Sequence, residues 1–187
     1  MASEVASSSH SVKFYHDEGE LLASLVKYIG TALRLGHDAV VIARPAVSQG
    51  LALELHREHV QRDPFGPRRG QLTTLDAQAT LSTFMRDDWP DAALFDKHVA
   101  DVIRRMTSGG KTAVAYGEMV ALLCEQGLHA AALRLEQLWN ALLARHSFSL
   151  LCAYPTRLFS NMTGKRNYQQ ICAAHSHVAE AAARQPA

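Results

Sequence analysis

Apolar and polar positions alternate along the chain in two periods. Five short stretches, 11–15, 39–43, 71–75, 112–116 and 148–154, read as strands. Three of them, AVVIA, TAVAY and FSLLCAY, are near-continuous apolar runs, which is what a strand covered on both faces of a sheet requires. Between them the apolar residues return at helical spacing: Leu21, Leu22, Leu25, Val26 and Ile29, then Val99, Val102, Ile103 and Met106. The clearest helix is predicted over 128–144, where Leu128, Ala131, Ala132, Leu135, Leu138, Trp139, Leu142 and Leu143 share an arc of about 140°. Glu136 and Asn140 flank that stripe one turn apart and are expected to face a neighbouring cleft. Strands alternating with helices predict βαβ units: an α/β fold of three layers, with a mostly parallel sheet and helices on both faces.

Length and composition narrow this picture. A chain of 187 residues is about one domain. The polar residues 1–9 read as a disordered tail, 10–183 as the single folded domain and 184–187 as a frayed end. With 48% apolar and 20% charged residues, general disorder is excluded. Nineteen Lys plus Arg against eighteen Asp plus Glu leave a net charge of +1, so no global field draws the protein to nucleic acid or to an anionic membrane. The segment 62–70, RDPFGPRRG, reads as an irregular loop carrying three arginines. Cys124, Cys152 and Cys172 lack a CxxC spacing and fit reduced thiols of a cytoplasmic protein. No signal peptide or membrane span is expected.

In a doubly wound sheet the ligand lies outside the carboxyl ends of the strands, so the residues after each strand carry the chemistry. Tyr15 is followed by His16, Asp17, Glu18, Gly19 and Glu20. A nucleotide site would place a glycine-rich loop ending in Gly-Lys-Ser/Thr there, because backbone amides and the lysine cradle phosphates. That loop is absent, and the carboxylates in its place repel a polyphosphate. Glu118 follows Gly117 after the fourth strand and reads either as a cleft carboxylate or as a helix-start residue favoured by the dipole. Thr156, after Pro155, reads as a cap or a ligand contact. Cys172, His175 and His177 are metal-ligand types that read either as part of a metal site or as surface groups; no metal is assigned to them. Cys152 lies within an apolar strand and reads as inert. No GxSxG or paired-carboxylate signature appears, so neither enzymatic activity nor a cofactor is expected.

Several segments, in order, resemble the MEDS domain, the sensory domain of the dichloromethane-responsive regulator and of bacterial histidine kinases. They are the opening HSVKFY from His10 to Tyr15, Gly36 with AVVIARPA, and Leu75-Asp76-Ala77 with Leu81, Phe84 and Met85. YGEMVALL from Tyr116, LEQLWN from Leu135, FSLLCAYP from Phe148 and ICAAHSHV from Ile171 complete the series. The resemblance implies a RecA-like core lacking a Walker A loop. It further implies a sensor that binds a small organic ligand, often a one-carbon or hydrocarbon compound, and regulates transcription or signalling through a partner regulatory protein or histidine kinase. Carried over by motif position, the ligand-binding residues are Tyr15, Glu118, Glu136, Trp139, Asn140, His175 and His177. Cys124 stands where the family often has an aromatic, and Ala179-Glu180 replaces its Ile-Pro-x-Glu. No DNA-binding or kinase segment is recognised in the chain, so output is expected through the partner, with a homodimer compatible. Two alternatives remain: a degenerate nucleotide- or metal-dependent hydrolase using Glu118 with Asp17 and His175, or a pure protein-interaction module.

Overall fold

A computed structural model describes residues 8–62, 70–160 and 162–179. The chain runs β1 (Ser9–Tyr15), α1 (Glu18–Arg34), β2 (Asp38–Ala43), α2 (Pro45–Arg62), β3 (Leu72–Asp76), α3 (Ala77–Ser82), and a short hairpin of β4 (Met85–Arg86) and β5 (Trp89–Pro90). There follow α4 (Ala92–Phe95), a π turn (Asp96–Ala100), α5 (Asp101–Met106), β6 (Ala113–Gly117), α6 (Met119–Glu125), α7 (His129–Leu143), β7 (Phe148–Pro155), α8 (Met162–Ala173) and β8 (His177–Ala179). Six strands form one parallel sheet in the order β3-β2-β6-β7-β1-β8. This is the three-layer, RecA-like α/β arrangement, with helices on both faces. Most of the loop expected over 62–70, and the termini outside 8–179, lie outside the described residues.

The apolar runs become the strands because they are covered on both sides. Every residue of β6 and β7 is buried, whereas β3 at the sheet edge keeps three exposed positions of five. Alternation divides the sheet into two faces. His10, Val12 and Phe14 alternate on β1, and Val12 and Phe14 join Leu150, Cys152 and Tyr154 of β7 in the core beneath α6 and α7. Tyr15, Val41, Val114, Tyr116 and Leu151 belong to the opposite core, against the buried Leu21, Leu25 and Ile29 of α1. Asp17 starts α1 by accepting a hydrogen bond from the Glu20 N–H at 2.9 Å. Gly36, with φ 82°, ends it by taking the left-handed conformation that returns the His37 N–H to the Ala32 carbonyl at 3.0 Å. On the α7 side, Trp139 is wholly buried and meets Phe95 edge-on, with ring centroids 5.2 Å apart at 88°.

Candidate functional site

At the carboxyl ends of the strands the charges close on one another. Glu118 is fully buried, and its backbone N–H donates to the Ile42 carbonyl at 2.9 Å. Its Oε2 accepts the Arg44 backbone N–H at 2.7 Å, while Oε1 accepts Arg44 Nε at 2.7 Å and Arg44 Nη2. Burial alone would lower the Arg44 pKa, but the Glu118 carboxylate holds it above the ordinary arginine value. Arg44 also reaches Glu125, which accepts Arg157 in turn. Tyr15 lies beside this network, and burial together with the Glu118 charge pushes its hydroxyl up to about 12.

The start of α1 is filled in the same way. Asp17 Oδ1 takes the Glu20 N–H, and Glu20 Oε2 takes the His16 N–H at 3.0 Å. Lys13 Nζ donates to Glu20 Oε1 at 2.9 Å. Two amides of the turn where a nucleotide-binding relative would hold a phosphate, those of His16 and Glu20, are therefore engaged by the chain's own carboxylates. Glu118, Asp17 and His175, the trio a hydrolase would need, are each committed to different partners.

A second polar group lies inside the fold, between the sheet and α7. His10 comes from the start of β1, Cys152 and Tyr154 from the same face of β7, Glu136 from the buried side of α7, and His175 from the chain just after α8. His10 Nε2 lies 3.2 Å from Glu136 Oε2 and 3.4 Å from Cys152 Sγ. Cys152 Sγ is 3.5 Å from Glu136 Oε2, and His175 Nε2 is 3.3 Å from Glu136 Oε1. The two imidazoles stand 4.0 Å apart, tilted at 45°. The Tyr154 hydroxyl donates to Glu136 Oε1 at 2.6 Å.

The outer nitrogens of both rings are spoken for. Asn140 Nδ2 donates to the Ala174 carbonyl at 2.9 Å, so Asn140 Oδ1 is the acceptor for His10 Nδ1–H at 2.8 Å. His175 Nδ1–H donates to the Ile171 carbonyl at 2.7 Å. Each ring thus turns Nε2 toward the carboxylate and the thiol, and His175 Nε2 makes no directed hydrogen bond despite being buried. Burial alone would raise the Glu136 carboxyl, yet the two imidazoles hold it well below the ordinary carboxylate range. Burial pulls His175 down, and the Glu136 carboxylate outweighs it and raises the ring. Burial, followed by the Glu136 charge, drives the Cys152 thiol and the Tyr154 hydroxyl upward.

Of the residues named from the sequence, Glu136, Asn140 and His175 meet in this interior group, while Tyr15 and Glu118 share the strand-end network. Trp139 packs in the aromatic core, and His177 is exposed on the edge strand β8, beside Ser11. Cys172 and His177 do not join His175 in its cluster. His10, Cys152, Tyr154 and Arg44 were not nominated from the sequence. The available signal was the alternation of His10 with Val12 and Phe14, and of Cys152 with Leu150 and Tyr154, which puts them on one sheet face.

On the opposite face, a cleft of about 320 Å³ opens between α1 and β6, lined by Ser24, Lys27, Tyr28, Thr31, Ala32 and Val114. The Tyr28 hydroxyl is buried there with no hydrogen-bond partner. Ser24 donates to the Glu20 carbonyl at 2.9 Å, and Thr31 accepts Arg34 Nη2 at 2.9 Å. Burial, with a smaller contribution from Cys152, raises the Tyr28 pKa and keeps that hydroxyl a donor.

A parallel α/β sheet with paired charges at its strand ends and polar groups held in its interior defines a RecA-like domain. Compared with known families, the chain matches the MEDS model, described as MEthanogen/methylotroph, DcmR Sensory domain, over residues 9–176. The chain belongs to this family of sensory domains. A comparison with curated proteins finds no match. Among the described residues, no helix is long and apolar enough to cross a membrane.

Proposed function

We propose that this domain is a non-catalytic sensor that takes a small organic molecule into the α1 cleft and signals its occupancy to a partner regulator or histidine kinase. The observation that carries this reading is the unpartnered Tyr28 hydroxyl, buried in a mostly apolar cleft of about 320 Å³. Small-molecule sites run from roughly 300 to 1,000 Å³, so the cleft suits a compact ligand. Its lining asks for an apolar body and one hydrogen-bond acceptor, as in a short alcohol, ketone or ether. A buried hydroxyl without a partner costs about 1–3 kcal/mol, which a ligand acceptor would offset. The engaged amides at the start of α1 and the Arg44–Glu118 pair argue against a nucleotide at the strand ends. Three thiols at Cys124, Cys152 and Cys172 fit a reducing, cytoplasmic setting.

The test is a thermal-shift screen with compact alcohols, ketones and ethers on the wild type, Tyr28→Phe and Thr31→Met. Compounds that raise the wild-type Tm should bind Tyr28→Phe about 3- to 10-fold more weakly, because one hydrogen bond is lost. Thr31→Met, which fills the cleft, should abolish the shift. Shifts unaltered by both substitutions would refute the assignment to this cleft.

A further inference from the structure

We propose that His10, Glu136, Cys152 and His175 bind a divalent metal ion of the zinc type in the interior of the domain. The site lies on the sheet face opposite the α1 cleft and stands whether or not that cleft holds a ligand.

Geometry is the first argument. Each residue offers one ligand atom, and all four atoms lie within 4.8 Å of one another. The close separations are 3.2 Å for His10 Nε2 to Glu136 Oε2, 3.4 Å for His10 Nε2 to Cys152 Sγ, and 3.5 Å for Cys152 Sγ to Glu136 Oε2. Zinc bonds of about 2.0–2.3 Å place tetrahedral ligands roughly 3.3–3.7 Å apart. These three separations match one face of such a tetrahedron, and His175 Nε2, within 4.8 Å of the other three atoms, stands where its fourth corner would be drawn in.

Orientation is the second. A metal-bound imidazole commonly donates its other N–H to a carbonyl or carboxylate, which fixes the tautomer and aims the lone pair. Both rings have that support, His10 from Asn140 Oδ1 and His175 from the Ile171 carbonyl. Glu136 has it too, because Tyr154 holds Oε1 and leaves Oε2 directed at His10 and Cys152. His175 Nε2, buried without a directed hydrogen bond, is the valence such an ion would fill.

Charge balance is the third. An ion of +2 with one thiolate, one carboxylate and two neutral imidazoles sums to zero, which removes the net charge an apolar interior would resist. Loading displaces the thiol proton, and any proton on the Nε2 atoms, to solvent; no electrons move. Mixed imidazole and thiolate ligation selects zinc-like ions over magnesium or calcium. Asn140, exposed at the edge of the cluster, offers the ion a way in.

The full chain, stripped with chelator and reloaded, tests this directly. About one zinc per chain should remain after dialysis, measured by elemental analysis. Cobalt(II) in its place should give a thiolate-to-metal charge-transfer band in the near ultraviolet. Cys152→Ser should lose the band, and Cys172→Ser and His177→Ala should keep it. Because a substitution at Cys152 disturbs the core, Asn140→Ala serves as a second variant. It should fold by circular dichroism and bind zinc about 10- to 100-fold more weakly in chelator competition. Folded wild type that holds less than about one tenth of an equivalent and shows no cobalt band overturns the proposal. A band lost in Cys172→Ser but kept in Cys152→Ser overturns it equally.

Discussion

Tyr15, Tyr28, Tyr116 and Cys124 carry their protons in surroundings that disfavour the ionised forms. Burial pushes Tyr15 and Cys124 up to about 12, and raises Tyr28 and Tyr116 well above the ordinary hydroxyl value. The folded chain therefore keeps protons that the unfolded chain releases near 9.0 for the thiol and 10.0 for the hydroxyls. Their contribution to stability is whole below those values and is lost as the pH rises through the folded ones. The Tm should be insensitive to these groups up to about pH 9 and fall above it, and tyrosinate absorbance should appear together with unfolding. Gradual titration of all tyrosines near 10.0 in the folded protein would contradict this. At the same scale, Glu136 flanks the apolar stripe of its helix and is nonetheless wholly buried. Nothing local reveals the reason: its neutralising partners, His10 and His175, come from opposite ends of the chain. That Tyr15 and Glu118 meet was legible from their places at the carboxyl ends of β1 and β6.

The elements were legible to the extent that their patterns are self-sufficient. β2, β6 and β7 are continuous apolar runs, and the structure moves their ends by only a residue or so. α1 shows its stripe and its cap, since Asp17 precedes two acidic residues in the first turn. Asp17→Ala should cost about 1 kcal/mol of stability, read from denaturant unfolding, by removing the acceptor for the Glu20 N–H. No change would mean that Glu18 or water replaces it fully. The β4–β5 hairpin escaped notice because its turn uses Asp87 and Asp88 at φ 45° and 61°, where Asn-Gly is the usual signal. β8 escaped because its three residues have no pattern of their own and depend on β1, beginning where the Ser176 N–H meets the His10 carbonyl at 2.7 Å.

For the molecule as a whole, sheet order does what sequence proximity does not. The interior cluster exists because β1 pairs with β7 on one side and β8 on the other, bringing His10, Cys152 and His175 together beneath α7. The α1 cleft occupies the other face, so one sheet separates the two features, and β1 leads directly into α1. At the ends of β1, β2 and β6, where a nucleotide-using relative would work, Arg44, Glu118, Asp17 and Glu20 are engaged in hydrogen bonds within the chain. On the proposed function, a small organic molecule enters the α1 cleft and not the strand ends. Amide chemical-shift mapping of the labelled chain with the best compound from the screen measures this most directly. Saturable shifts are expected at Ser24, Lys27, Tyr28, Thr31 and Val114, with Tyr15, Arg44 and Glu118 unmoved. Shifts centred on Arg44 and Glu118, or no saturable shift with any compound of the panel, would contradict it.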